Sequence, residues 1–206
     1  MLTVALPKGR LGEKVFAMFS SLGYGCDDLT PESRKLVFEG ENARFILVKP
    51  TDVPVYIAQG AADVGVVGKD VLQESGENIY ELLDLNFGKC AMCVAAREGW
   101  QEDMSRPLRV ATKYPNCAKA HYAAKNRDIT VIKLNGSIEL APILGMADVI
   151  VDIVETGTTL KENHLEVIET AFPISARLVA NKRAYRFMQE EIENLRMALA
   201  EKLQEK

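Results

Sequence analysis

Residues 152–160 read DIVETGTTL, directly after an apolar run, ADVIV, at 147–151. Two carboxylates, Asp152 and Glu155, stand three apart. Three threonines, Thr156, Thr158 and Thr159, then surround one glycine, Gly157. Carboxylates accept hydrogen bonds, so they suit sugar hydroxyls or a bound Mg²⁺. Gly157 allows a left-handed turn and close approach of a ligand to the main chain. The hydroxyls, and the free N–H groups of a turn that opens a helix, are donors for an anion. Phosphate donors beside hydroxyl acceptors describe a site for a ribose 5-phosphate group. A plain capped helix, Thr-x-x-Leu with Glu155 in the turn, is the structural alternative.

A loop of this kind needs a buried strand before it and a helix after it. LTVAL (2–6), DVGVV (63–67), LRVAT (108–112), ITVIKL (129–134) and ADVIVDIV (147–154) read as strands. KLVFEG and ARFILV, parted by Gly40 and Asn42, read as a hairpin. Between them lie helical patterns: Leu11 to Leu22 with Val15, Phe16 and Phe19 on one face, VPVYIAQ capped by Asp52, NCAKAHYAAK, and IELAPIL starting at Ser137. A last amphipathic helix is expected from Lys182 onward, with Tyr185, Met188, Ile192, Leu195, Leu199 and Leu203 as its apolar stripe. Strands alternating with helices imply an α/β protein with mostly parallel sheets. GAADVGV (60–66) also echoes GMADVIV (145–151) in matching context. The echo implies two lobes of related design with a ligand cleft between them, a periplasmic-binding-protein-like layout. Residues 1–90 plus 176–206 would form the first lobe, and 91–175 the second, which carries the 152–160 loop.

The totals restrict the partners. The chain has 206 residues, 48% hydrophobic and 26% charged, with net charge −4. It carries no basic block for nucleic acid or an anionic membrane. No apolar run reaches the ~18 residues of a membrane span, and MLTVALPKGR lacks the core of an export signal. A cytoplasmic protein is expected. Cys90 and Cys93 form C-x-x-C within a strand pattern, which puts them on opposite faces as buried thiols rather than a redox or zinc pair. Two histidines, His121 and His164, give no basis for a histidine metal site.

The pattern from Glu139 to Leu160, ELAPILGMADVIVDIVETGTTL, resembles the ATP phosphoribosyltransferase family of histidine biosynthesis. PKGRL (7–11), KPTDVP (49–54), GAADVGVVGKDVL (60–72), ATKYP (111–115) and LNGSIELAP (134–142) resemble it in the same order. The length is similar to the short form, which lacks the histidine-binding C-terminal domain of the long form. The resemblance implies transfer of a phosphoribosyl group from PRPP to N1 of ATP, with inversion, Mg²⁺ and release of pyrophosphate. It also implies a separate regulatory subunit resembling histidyl-tRNA synthetase, in a hetero-oligomer that the family suggests is a hetero-octamer.

On this reading Asp152, Glu155, Thr156, Gly157, Thr158 and Thr159 bind PRPP, and Asp152 also faces metal. Lys8, Arg10 and Lys49 are the catalytic cations for the polyphosphates. Long-form relatives often carry arginine where Lys49 stands. Arg34, Lys69, Tyr114 and Glu139 are further ATP or pyrophosphate candidates. Asp63 and Asp148, at equivalent echo positions, read as turn or cap residues. GVVGKD is not a Walker A loop, since Asp63 and Asp70 occupy its Gly and Ser/Thr places. Two rival readings stay open: a ligand-binding protein of the same lobed design, and a phosphoribosyltransferase for another base. The second usually carries two adjacent acids before the loop, whereas these stand three apart.

Overall fold

A computed structural model describes residues 1–29 and 34–205. The chain divides into two compact units, Met1–Gly88 together with the segment from Ser175 onward, and Lys89–Ile174.

The first unit contains β1 (Leu2–Pro7), α1 (Arg10–Ser21), β2 (Val37–Glu39), β3 (Ala43–Val48), α2 (Val53–Ala58), β4 (Val64–Gly68), α3 (Lys69–Ser75) and β5 (Tyr80–Asp84). The second contains β6 (Cys90–Arg97), β7 (Leu108–Thr112), α4 (Pro115–Ala123), β8 (Ile129–Lys133), α5 (Leu140–Ile143), β9 (Val149–Val154), α6 (Thr158–Glu162) and β10 (Leu165–Ile174). The chain then returns to the first unit with β11 (Ala176–Ala180), α7 (Lys182–Phe187) and α8 (Gln189–Gln204).

The first sheet has the order β2-β3-β1-β4-β11-β5, and the second β10-β6-β9-β7-β8. Parallel pairing is confined to β3-β1-β4 and to β9-β7-β8. Every other pairing between described strands is antiparallel. The expectation of mostly parallel sheets therefore applies to those three-strand groups, and both sheets are mixed. The antiparallel pairings come from the β2–β3 hairpin, from β6 against β9 and β10, and from β11 against β4 and β5.

Helix α1 forms because its apolar residues recur every three to four positions, and Val15 and Phe19 are fully buried against the first sheet. It starts only three residues after β1. A Cβ on Gly12 would lie 1.8 Å from the Pro7 carbonyl oxygen, so this close join admits no side chain there. The C-terminal stripe is core: Ile192, Leu195 and Leu199 are buried with Leu2, Phe19 and Phe45. It lies on two helices rather than the single one expected, because the chain breaks at Met188 (φ −129°). Asn181 starts α7, its side chain accepting from the N–H groups of Arg183 and Ala184 and donating to the Ile57 carbonyl at 2.7 Å.

One further helix starts where expected but with a different lead-in, and one shifts. Asp52 does not cap α2 with its side chain. A 3₁₀ turn at Pro50–Asp52 leads in instead, and the Asp52 carboxylate accepts from Thr51 Oγ1. Helix α5 begins at Leu140 and not at Ser137, which has φ +49° and so lies outside helical geometry.

Candidate functional site

The 152–160 loop leaves β9 at its C-terminal end. That strand lies inside the second sheet, between β6 and β7, with Val149, Ile150 and Val151 buried. Two residues, Glu155 and Thr156, separate it from Gly157, which takes φ +74° and precedes α6. Gly157 at the N-cap has no side chain to offer α6, and the Thr158 N–H donates to Thr156 Oγ1 at 3.4 Å. The threonine hydroxyls are turned to one another: Thr156 Oγ1 and Thr158 Oγ1 lie 3.0 Å apart. Thr156, Thr158 and Thr159 are exposed, so these donors are available to a ligand. Leu160, one residue on, is buried with Ala111, Ala141 and Ile150 and anchors the short helix.

The loop borders a cavity of about 300 Å³ whose walls include Glu139, Asp152, Glu155, Thr156, Gly157, Thr158 and Thr159. Three carboxylates line it together with the three threonines. Burial is the main cause that raises the Asp152 carboxyl above the usual aspartate range, and the Glu139 charge adds to it. The Ile153 N–H, which Asp152 accepts at 2.8 Å, and the Lys113 charge act in the opposite direction. Among the described residues no group of three His, Cys, Asp or Glu side chains is gathered as a metal cage.

The first-unit candidates sit at strand ends. Lys8 and Lys49 follow the parallel strands β1 and β3 at their C-terminal ends, where α/β sheets bind ligands, and the Lys8 N–H donates to the Val48 carbonyl at 2.8 Å. Arg10 opens α1. Lys8 and Arg34 line a cavity of about 520 Å³ with Gly9, Phe16, Leu29 and Leu47. Lys8, Arg10, Arg34 and Lys49 are exposed and form no ion pair among the described residues.

Two candidates are differently employed. Lys69 pairs with Glu81 on β5, which also binds Arg177 of β11. Tyr114 is 8% exposed and packs in the core of the second unit with Met92, Cys117 and Tyr122. Asp63 and Asp148 act within their own sheets. Asp63 Oδ2 accepts from the Thr3 N–H, and Asp148 Oδ2 from the Arg109 N–H. Lys113, to which the sequence reading assigned no role, lies one residue past β7 and within electrostatic range of Asp152. Its position depends on strand order, which spacing along the chain does not reveal.

No disulfide joins any of the four cysteines, and Cys93 and Cys117 are buried. Among the described residues no helix is long and apolar enough to cross a membrane.

A family profile described as HisG, ATP phosphoribosyltransferase, matches residues 49–201. The ATP phosphoribosyltransferase of Brachyspira hyodysenteriae is 54% identical over 95% of this chain and 96% of its own length. A solved ATP phosphoribosyl transferase (HisG:HisZ) complex from Thermotoga maritima contains a chain 35% identical to this one, with TM-score 0.87 and full coverage of both. The periplasmic aliphatic sulphonate binding protein SsuA of Escherichia coli shares the fold alone: 14% identity, TM-score 0.57, covering 97% of this chain and 71% of that one.

Proposed function

This chain belongs to the ATP phosphoribosyltransferase family, and on that premise we propose that it transfers the phosphoribosyl group of PRPP to N1 of ATP, the first step of histidine biosynthesis. The observation that carries the reading is the second-unit cavity, with Asp152, Glu155 and Glu139 on the same walls as Thr156, Gly157, Thr158 and Thr159. The threonines and the Gly157 turn hold the 5-phosphate. Asp152 and Glu155 accept from the ribose hydroxyls. Lys8, Arg10 and Lys49 carry polyphosphate charge, with Arg34 as a further cation from the cavity that it shares with Lys8.

The N1 lone pair forms a bond to C1 of the ribose while the C1–O bond to pyrophosphate breaks, and that bond pair leaves on the pyrophosphate. Attack from the opposite face inverts C1. No strong general base is needed to free the N1 lone pair. The protein's work is to hold N1 against C1 and to place cations where negative charge grows on the leaving group. The donor set fits Mg²⁺. That ion takes one or two carboxylates and draws its other ligands from substrate phosphates and water, so a three-residue cage is not required. Asp152, with Glu139 or Glu155, would hold it, and it would supply charge neutralisation on the leaving group.

The Thermotoga relative is solved as a HisG:HisZ complex. We place this chain likewise with a separate regulatory subunit in a hetero-oligomer. Four cysteines with no disulfide among them suit a reducing compartment, the cytoplasm.

The test mixes the purified chain with PRPP, ATP and Mg²⁺. It follows pyrophosphate and the ultraviolet absorbance of N1-substituted adenine, with and without the regulatory subunit. Turnover in either mixture supports the assignment. Silence in both, with a small ligand still bound, would favour a binding protein.

A further inference from the structure

We infer that Lys113 is a further substrate-contacting cation of the second unit, placed to hold the diphosphate group of PRPP. The inference deepens the phosphoribosyl-site reading and rests on it.

The cavity has a charge problem. Its walls carry Glu139, Asp152 and Glu155 but no lysine or arginine. PRPP is anionic at both ends. With the 5-phosphate on Thr156–Thr159 and the ribose hydroxyls on Asp152 and Glu155, the diphosphate meets carboxylates. Within the second unit metal alone would leave much of its charge uncovered, and a side-chain cation beside Asp152 would add to the charge carried by Lys8, Arg10 and Lys49.

Strand register supplies one. β7 runs parallel beside β9, with Val110 opposite Val149, Ala111 opposite Ile150 and Thr112 opposite Val151. Alternation sends Ala111 and Ile150 to one face, where they pack with Ile138, Ala141 and Leu160 beside α5 and α6. Val110 and Val151 go to the opposite face. One residue further on, Lys113 and Asp152 therefore share the face that bears the loop.

Thr112 locks this end of the pair. It is fully buried, its hydroxyl donates to the Val151 carbonyl at 2.6 Å, and it accepts from the Tyr114 N–H at 2.8 Å. Lys113 itself is exposed and makes no hydrogen bond or ion pair among the described residues. Four other cations of the unit are committed, Arg106 and Arg109 to Asp148, Arg127 to Glu102 and Lys125 to Glu169, and among the rest Lys113 is the one whose charge acts on Asp152. The Lys113 charge already acts on the Asp152 carboxyl, against the effect of Glu139. An exposed lysine one residue beyond a strand end can extend to a ligand without breaking an existing ion pair.

The test compares two ligands by calorimetry with Mg²⁺, in the assembly that turns over: PRPP, and ribose 5-phosphate, which lacks the diphosphate. Lys113→Met should weaken PRPP roughly 10- to 100-fold, the value of one charged hydrogen bond. It should leave ribose 5-phosphate affinity and the KM for ATP as in the wild type. Lys113→Arg should restore most of the PRPP affinity. Equal losses for both ligands, or an unchanged PRPP affinity in Lys113→Met, would overturn the inference while the phosphoribosyl-site reading stood. A wild-type chain that bound neither ligand would overturn both.

Discussion

Residues 60–68 and 145–157 begin as one design and end as two. In both, a short helix stops at a glycine with positive φ, +73° at Gly60 and +70° at Gly145. The Ala61 and Ala62 N–H groups both donate to the Tyr56 carbonyl, and those of Met146 and Ala147 both donate to the Ala141 carbonyl. Then an aspartate ties the new strand to its neighbour. The Asp63 N–H donates to the Thr3 carbonyl while its carboxylate accepts from the Thr3 N–H; Asp148 and Arg109 repeat the exchange. The echo read from seven residues is a repeated connection that sets a buried strand in register.

The copies part at the strand's far end. β4 runs through Gly68 straight into α3. The Asp70 carboxylate occupies the space above, 2.3 Å from where a Cβ on Gly68 would stand. After β9 the chain instead spends three residues, Glu155, Thr156 and Gly157, before α6. Those residues open a cavity where the first copy has a closed join. The shared part is scaffold, and the divergent part is where we propose the chemistry.

The comparison can be broken at several points. The largest effect is expected at Gly157→Val, with Thr159→Ala added. A β-branched residue at φ +74° is strained, so the turn should rearrange and PRPP affinity should fall about 100-fold or more, read by calorimetry. An unchanged affinity would remove the loop from the substrate site.

Asp152→Asn follows. It should lower kcat/KM for PRPP by roughly 10- to 100-fold, since a neutral amide replaces a charged acceptor. Stability should move the other way. The folded-state pKa of Asp152 lies above its unfolded value, so between the two the folded protein holds more protons than the unfolded chain, and stability falls as pH rises through that range. The neutral amide removes that penalty, and thermal melting at neutral pH should rise. In the wild type, PRPP affinity should fade with acidification at a pH above the ordinary aspartate range.

The two aspartates separate the copies by stability. Asp148 is nearly buried and accepts from Arg106, from the Arg109 side chain and from the Arg109 N–H. Asp63 accepts from a single main-chain N–H in the first copy. Asp148→Ala should cost about 3 kcal/mol and Asp63→Ala about 1 kcal/mol by denaturant unfolding. The arginines hold the Asp148 carboxyl well below the usual range. Its contribution is therefore complete above the unfolded value and is lost only as pH falls below it. Smallest are Gly60→Ala and Gly145→Ala. Each should cost about 1 kcal/mol for a side chain at positive φ. Neither site has a closer neighbour than Asn181 Nδ2, 3.8 Å from a Cβ on Gly60, so the two costs should match.

Local pattern carried β1 to β4 and β6 to β9, most helices, the echo and the C-terminal core stripe, because each depends on side chains a few residues apart, but it did not show β5, β10 or β11. It misplaced the start of α5, where Ser137 takes a positive φ, and missed the 3₁₀ turn that leads into α2 in place of a side-chain cap. The sequence by itself also determined the family and the acid-acid-Thr-Gly-Thr-Thr order of the loop. Only the tertiary structure decided which residues stand beside that loop. Strand order joined β7 to β9 and so brought Lys113 to Asp152, 39 positions apart, as the Thr112 to Val151 pair is. It placed β11 between β4 and β5, committed Lys69 to Glu81 and put Tyr114 in a core. Pairing between distant strands is selected by the burial of whole faces, a sum over the packed molecule that no short stretch of sequence contains.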